Sequence, residues 1–218
     1  MGVLEPQATY SLADRAYHAI RDMIVSLELR PRAVIDERQL MARLGIGRTP
    51  TREALRRLAQ EGLVEVYPRR GMFVTSVEIG DLASLAEVRS VLESSAARLA
   101  AERATDDDRD AVAALLDELD RHDELDQREL MELDERIHRQ VYRAAHNEFL
   151  EATLEQYYVL ALRIWYLALD QARELEQAVL DHREILEAIR AGDAERAQQA
   201  MRRHVNEFEE AMRRVLTP

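Results

Sequence analysis

Residues 36–63, DERQLMARLGIGRTPTREALRRLAQEGL, decide the fold of the first part of the chain. Asp36 can cap the start of a short helix, and Gly45 is placed to end it. Thr49 followed by Pro50 predicts an N-cap and the first helical position of a second helix. Two short helices joined by a tight turn are typical of a helix-turn-helix.

The sequence on both sides of this stretch predicts a third helix and a hairpin. A capping-box-like start at Ser11 precedes a helical stripe of apolar residues. Residues 63–67 and 72–75 are strand-like, and the turn-prone residues between them end at Gly71. We therefore expect a winged helix-turn-helix domain over residues 1–77.

The second helix of the pair carries residues suited to reading DNA. Arg48, Thr49 and Arg52 lie at or near its start, on the side opposite its apolar residues. In a helix-turn-helix this end reaches base edges, and Arg can donate two hydrogen bonds to guanine. Gly71 at the wing would let the backbone approach a groove closely. The alternative is an ordinary solvated face, because all 30 basic residues of this chain are Arg.

From Gly80 onward the sequence contains no strand signal and predicts helices only. Turn and cap signals divide this part into six helices, at about 81–103, 106–123, 126–145, 148–170, 172–191 and 194–216. We therefore expect a mainly α protein, in which the winged helix-turn-helix is followed by an all-α six-helix bundle over residues 78–218.

Composition and charge restrict the function classes. The 218 residues include no cysteine, which excludes disulfides, thiolate catalysis and Cys-ligated zinc. Neither an apolar run of about 18 residues nor a signal-peptide pattern is present, so we expect a cytoplasmic protein without membrane contact. Residues 1–77 carry 12 Arg and nine acidic residues, whereas residues 78–218 carry 18 Arg and 33 acidic residues. A polyanion would therefore meet only the first domain.

Four polar side chains interrupt apolar helix stripes in the second domain. Asp134 and His138 lie four residues apart, so they share one helix face. His182 and His204 lie ten residues before and twelve after Gly192, and therefore at similar heights on two antiparallel helices. Singly, each His is more simply a hydrogen-bonded core residue. Together the four predict one divalent ion per chain, with zinc preferred over nickel, cobalt or manganese. Comparable neighbours are lacking around the other histidines, His18, His122 and His146.

Arg89 also lies on an apolar stripe, on the first helix of the second domain. One interpretation is an interior salt bridge to one of the acidic residues of this domain. The other is a clamp for an anionic effector, because the guanidinium fork matches a carboxylate. The sequence leaves both open.

The first domain resembles the winged helix-turn-helix of the GntR family of bacterial transcription regulators. The residues that carry the resemblance are Ala16-Tyr17, Arg38, Leu44-Gly45, Arg48-Thr49-Pro50, Arg52-Glu53-Ala54-Leu55, Leu58, Glu61-Gly62-Leu63-Val64 and Arg70-Gly71. In that family the matching positions contact operator DNA, and the resemblance implies this role for Arg38, Arg48, Arg52 and Gly71.

The second domain resembles the FCD effector domain of the FadR-type subfamily, in its six-helix form. The residues that carry this resemblance are Arg89 with Leu92-Glu93, Asp134 with His138, Asn147, His182 and His204. The resemblance implies that Asp134, His138, His182 and His204 are metal ligands.

Together these features predict a homodimeric, metal-containing transcription regulator rather than an enzyme. It should bind double-stranded, palindromic operator DNA, because one short recognition helix reads few base pairs. A small carboxylate that bridges the metal and Arg89 should change that binding. The alternative is a metal-dependent enzyme acting on a small organic acid. It is disfavoured because no further inward base or nucleophile stands beside the predicted ligands.

Overall fold

A computed structural model of the protein describes residues 11–76, 80, 82–167 and 172–216. The chain divides into two compact units, residues 1–77 and 78–218. The predicted domain boundary at 77 and the predicted helix ends at 81 and 170 lie outside the described residues. Among the helices that are described, none combines the length and the apolar character needed to cross a membrane.

The first unit contains three helices followed by an antiparallel hairpin. The helices are α1 (Leu12–Val25), α2 (Glu37–Leu44) and α3 (Arg48–Gln60), and the strands are β1 (Val64–Tyr67) and β2 (Gly71–Val74). This order confirms the winged helix-turn-helix that the sequence predicts, with the two strands as the wing.

Local capping signals set the ends of α1 and α2. Ser11 forms a capping box with Asp14 at the start of α1. The Asp36 side chain accepts hydrogen bonds from two backbone N–H groups in the first turn of α2. Gly45 ends α2 in the left-handed conformation, with a φ of 64° that favours glycine. The sequence predictions for these three positions are therefore confirmed.

The packing of α1 across α3 forms the core of the first unit. The side chains buried completely between them are Ala16, Ile20, Ile24, Ala54, Leu55 and Leu58. At the edge of this core the Tyr17 hydroxyl donates a hydrogen bond to Glu61 (2.7 Å), and the Arg57 guanidinium lies 4.1 Å above the Tyr17 ring. These contacts hold α3 against α1.

The start of α3 differs from the sequence prediction. The N-cap is Gly47, not Thr49, and the helix begins at Arg48. The Gly47 carbonyl accepts the first intrahelical hydrogen bond, from the Thr51 N–H (3.3 Å), and it also accepts a bond from the buried Thr51 hydroxyl (2.9 Å). Pro50 is therefore the third helical residue, where its missing N–H costs no helical hydrogen bond. As a result, Arg48 and Thr49 lie within the first turn of α3.

The wing is an antiparallel hairpin that also bridges to the rest of the first unit. Val64 pairs with Val74, and Tyr67 pairs with Gly71. Gly71 is the first residue of β2 rather than part of the turn, and its φ of 103° strains any other residue. Val34, in the segment between α1 and α2, makes an isolated bridge to Phe73.

The described part of the second unit contains only helices. They are α4 (Leu82–Arg103), α5 (Asp106–Leu119), α6 (Gln127–Ala144), α7 (Glu148–Leu167), α8 (Ala172–Leu180), α9 (His182–Ala191) and α10 (Ala194–Leu216). The all-α fold class is thus confirmed. The predicted fifth helix is divided at Asp181, where the His182 ring bonds the carbonyl oxygen of Val179 (3.1 Å).

Packing around α4 and α6 forms the core of the second unit. α10 lies along α4 and α9, while α6 contacts α4, α5, α7 and α8. Gly192, with a φ of 71°, allows the tight turn that folds α10 back against α9. Thr105 and Asp126 form capping boxes at the starts of α5 and α6. Several polar residues, among them Asp134, His138 and His204, are buried on the inner faces of these helices.

Candidate functional site

Asp134, His138, His182 and His204 lie together in the second unit. Asp134 and His138 come from α6, His182 is the first residue of α9, and His204 lies within α10. All four are buried, with at most 4% of each residue exposed. Each offers one ligand atom, and these atoms lie within 4.8 Å of one another. Three helices therefore bring one carboxylate and three imidazoles to one point.

Distances within this cluster suit ligands of a shared ion. The Nε2 atoms of His138 and His182 are 3.1 Å apart, and Asp134 Oδ1 lies 3.6 Å from Nε2 of His182. The ring centroids of His182 and His204 are 4.0 Å apart. Ligands held about 2.0–2.2 Å from an ion are about 3.0–3.6 Å from one another in octahedral or tetrahedral geometry.

Hydrogen bonds outside the cluster orient two of its members. Nδ1 of His182 faces the carbonyl oxygen of Val179 at 3.1 Å, which favours the tautomer whose Nε2 lone pair points at Asp134. The Tyr158 hydroxyl donates to Asp134 Oδ2 (2.6 Å) and leaves Oδ1 toward the histidines. These bonds make the ligand atoms available without a rotamer change.

Two atoms of the cluster are buried without a hydrogen-bond partner. They are Oδ1 of Asp134 and Nδ1 of His204. A buried polar atom without a partner costs free energy unless an ion or another group satisfies it. One carboxylate and three imidazoles, with two atoms that lack a hydrogen-bond partner, therefore fit a divalent metal ion that takes nitrogen and oxygen ligands.

Burial keeps two of the histidines neutral. It lowers the pKa of His182 to about 4, an effect that the nearby Asp134 carboxylate only partly offsets. It also lowers the pKa of His204 well below its ordinary value, and the neighbouring imidazoles add to this shift. Neutral imidazole is the form that binds metals, so both rings are ready to act as ligands at neutral pH.

Arg89 and Glu93 continue the cluster into α4. Arg89 Nε donates to Glu93 Oε1 (2.5 Å), and Glu93 Oε2 lies 3.0 Å from Nδ1 of His138. Burial alone would raise the pKa of Glu93, but Arg89 and His138 outweigh it and hold that pKa at about 2. Sequence reasoning did not assign Glu93 to the site, although its place four residues after Arg89 puts both on one helix face.

A small cavity adjoins the cluster. Arg89, Asp134, His138 and His204 form its polar wall, and Trp165 stacks on Phe208 in its apolar wall, with ring centroids 5.0 Å apart. The free volume of about 10 Å³ accommodates about one water-sized group. An ion fits beside these residues as they stand, whereas an organic ligand requires the aromatic side chains to move.

A second metal-capable group lies nearer the surface. Nε2 of His122 is 3.2 Å from Asp123 and 3.6 Å from Glu176. The sequence had suggested that His122 lacks such neighbours, because Glu176 is distant in the chain. Both carboxylates are well exposed, which distinguishes this group from the buried cluster.

All five residues assigned to DNA lie on the surface of the first unit. They are Arg38, Arg48, Thr49, Arg52 and Gly71. The first lies in α2, the next three lie in the first two turns of α3, and Gly71 begins β2. The exposed start of α3 therefore presents two arginines and a hydroxyl.

Arg52 is held by a partner that sequence reasoning missed. Its Nε and Nη2 donate to the two carboxylate oxygens of Glu37, at 2.8 and 3.2 Å. Glu37 is the first residue of α2, so this bidentate pair joins the two helices of the motif. This pair orients the Arg52 guanidinium at the surface.

Comparison with protein families assigns both units. Residues 12–74 match the family of bacterial regulatory proteins described as the gntR family, and residues 84–207 match the FCD domain. The FCD match alone spans more than half of the chain.

Relatives of similar length are regulators. An uncharacterized HTH-type transcriptional regulator in an unstable DNA locus of Streptomyces ambofaciens is 35% identical over 202 residues, which cover 91% of this chain and 84% of that protein. The HTH-type transcriptional repressor RspR of Escherichia coli K12 is 24% identical over 216 residues, with coverage of 95% and 91%. The solved structure of E. coli McbR/YncC matches with a TM-score of 0.83 at 22% identity, covering 94% of this chain and 99% of that one, which shows a shared fold.

Proposed function

The chain belongs to the GntR family of bacterial transcription regulators, in the branch with a C-terminal FCD domain, and from this premise we propose a metal-dependent, effector-controlled operator-binding function. The first unit would bind the operator, and the second would hold one divalent ion and a small carboxylate. The observation that supports this proposal is the buried cluster of Asp134, His138, His182 and His204, in which two polar atoms have no hydrogen-bond partner.

Operator recognition is assigned to the start of α3 and to the wing. Arg48, Thr49 and Arg52 are exposed there, where a helix-turn-helix enters the major groove. Arg38 at the start of α2 and Gly71 at the wing would contact the backbone or an adjacent groove. Because Glu37 fixes the Arg52 guanidinium, that fork is preorganised for a base edge or a phosphate.

The ion would be held by the carboxylate and the three imidazoles, with zinc preferred. When bound, it would supply positive charge and open coordination positions for an anionic ligand. The Tyr158 and Val179 hydrogen bonds hold Asp134 and His182 in ligand orientation. Glu93 would do the same for His138.

The effector assignment rests on the position of Arg89. Its guanidinium lies in the cavity wall together with Asp134, His138 and His204. It is also bonded to Glu93, so the interior salt bridge is present, and the clamp is proposed in addition to it. A carboxylate between the ion and Arg89 would replace or share the Glu93 contact. The Trp165 and Phe208 wall would move to admit it.

Homodimer formation is supported by an apolar surface on α4. Val88 and Val91 lie three residues apart, on one face of this helix, and both are exposed. Two identical subunits joined by a two-fold axis would present two recognition helices to a palindromic operator. The enzyme alternative is not supported, because the family and the relatives found are transcription regulators.

Selection of genomic DNA by the purified full-length protein tests this proposal. Fragments bound by metal-loaded protein are sequenced, and their affinity is then measured with and without chelator and with a panel of small organic acids. We expect a two-fold symmetric sequence whose affinity changes with at least one acid only when metal is present. Binding to random fragments alone would contradict operator recognition, and an acid response that survives chelation would contradict the role of the ion.

A further inference from the structure

The buried metal cluster needs a path to solvent. Asp134, His138 and His182 are at most 2% exposed and His204 is 4% exposed, so all four are nearly closed to solvent. His204 differs, because it lines the inner cavity and also a groove of about 390 Å³ on the outside of the unit. It is thus the ligand that links the cluster to the surface.

This outer groove runs between α9 and α10. Its polar rim carries four acidic residues and three arginines, and the acidic ones are Asp181, Glu184, Glu187 and Glu207. A slight excess of negative charge at the rim attracts divalent cations more than anions. The groove therefore has the charge as well as the position of an entrance for a metal ion.

Ion pairs across this groove join its two helices. Glu184 of α9 accepts from Arg203 of α10 at 2.7 Å and lies 3.5 Å from Arg196 of α10. Arg196 also pairs with Glu187 at 3.1 Å. We call these ion pairs the Glu184 clasp. Arg203 directly precedes His204 in the chain, so the clasp lies beside this proposed metal ligand. The paired side chains are about 40–50% exposed, and such pairs open readily.

We propose that the metal ion enters and leaves through the α9–α10 groove, that His204 is its first and last protein ligand, and that the Glu184 clasp sets the exchange rate. This inference rests on the proposed metal site. It concerns a rate rather than an affinity, because the clasp residues do not belong to the four ligands.

Metal exchange kinetics test the route. Trp165 is the single tryptophan of the chain and lines the inner cavity, so quenching of its fluorescence by Co²⁺ reports the buried cluster. Metal-free full-length protein is mixed with Co²⁺ in a stopped-flow instrument, and loaded protein is mixed with excess EDTA. The variants Glu184→Gln and Arg203→Gln both remove the Glu184–Arg203 ion pair, but they change the net charge of the groove rim in opposite directions.

We expect both variants to release Co²⁺ about 1.5-fold to fivefold faster than the parent, as the loss of an exposed ion pair would give. The dissociation constant should change by less than about twofold, because the ligands are untouched. The matched control is Glu118→Gln, which removes an exposed pair with Arg136 between α5 and α6 and should leave the release rate unchanged.

The outcomes separate the route from the site. Release rates equal to the parent in both variants would overturn the route, and so would rates that move in opposite directions with the charge. A parent whose Trp165 is quenched no more than that of His182→Ala would overturn the metal site itself. Faster release at high salt in the parent, but not in Glu184→Gln, would support the clasp further.

Discussion

Arg89, Glu93 and His138 form a buried series of polar contacts. Glu93 is the central member and contacts both of the others. Glu93 lies between a guanidinium and an imidazole, and it is completely buried. Removing Arg89 alone would leave this carboxylate charged without its strongest partner, which costs about 3–5 kcal/mol in buried pairs. Arg89→Ala therefore confounds a loss of effector contact with a loss of fold.

The effector role of Arg89 is tested by changing the pair together. In Arg89→Met with Glu93→Gln, both charges are removed, so we expect a folded protein with near-parental operator affinity. Its metal content should equal that of Glu93→Gln alone, because both variants carry the same change beside His138. The response to the organic acid found in the screen should be lost, because the guanidinium fork is absent. Operator binding is measured by fluorescence anisotropy with increasing acid.

Glu93→Gln alone is the matched control for this test, since it keeps Arg89. It should retain at least part of the response. An unchanged response in the double variant would show that Arg89 is a structural salt bridge and would end the clamp assignment.

The role of His182 as a ligand gives a second prediction at this scale. His182→Ala should lower the metal content from about one ion per chain to a small fraction, because one of four ligands is removed. Metal at 100 times its dissociation constant stabilises a folded protein by about 2.7 kcal/mol. We therefore expect added Zn²⁺ to raise the Tm of the parent but not of this variant. Elemental analysis and thermal unfolding measure the two effects.

The surface group around His122 supplies the control for that experiment. His122→Ala removes an imidazole of the same kind from a well-exposed cluster. It should keep parental metal content and the parental rise in Tm. Metal binding unaffected by His182→Ala, or abolished by His122→Ala, would place the ion elsewhere than the buried cluster.

Among the elements, we propose α3 as the source of sequence specificity in the first unit. Arg48 and Arg52 lie one turn apart on its exposed face, and replacement of either by Ala should weaken operator binding by about 1–3 kcal/mol if it makes paired base contacts. The loss should be smaller on DNA of unrelated sequence, where only phosphate contacts are made. Anisotropy titrations with operator and scrambled duplexes measure the difference.

Arg15→Ala is the matched control for the α3 variants, because Arg15 is an exposed arginine of α1 in the same unit. It removes the same charge without touching the recognition helix. If Arg15→Ala weakens operator binding as much as the α3 variants do, general electrostatics rather than base contacts would explain the effect.

Signals that act within a few residues could be predicted from the sequence at the scale of elements. The caps at Ser11 and Asp36 and the αL glycine at Gly45 are local, and the structure has each of them. The start of α3 was misplaced because the buried Thr51 bonds the carbonyl of Gly47, a choice that depends on which face of the helix is buried.

In the candidate site, too, features set within one helix could be predicted from the sequence, whereas contacts between helices could not. The inward faces of the four ligand residues follow from periodicity within single helices, so their burial could be predicted. The bonds from Glu93 to His138 and from Tyr158 to Asp134 depend on which helices are neighbours. No pattern within one helix specifies that neighbourhood.

Across the whole molecule, charge separates the two units. Residues 1–77 are net positive by three charges, whereas residues 78–218 are net negative by 15. The acidic unit repels DNA, so a nucleic acid is confined to the first unit. The exposed valines of α4 form an uncharged surface on this acidic unit, and we propose that the dimer forms there.

Self-association through α4 is the prediction that belongs to this scale. A glutamate placed in an apolar interface is buried without a partner, so Val91→Glu should weaken the dimer about tenfold or more. Val34→Glu is the matched control, because Val34 is equally exposed, at 62%, but lies in the first unit. Sedimentation at micromolar concentration should give a dimer for the parent and for Val34→Glu, and a larger fraction of monomer for Val91→Glu. Because a palindromic operator is read by two recognition helices at once, Val91→Glu should also lose most operator affinity while keeping its metal.

A dimer of parental strength in Val91→Glu would rule out α4 as the interface, and a monomeric parent would rule out the dimer.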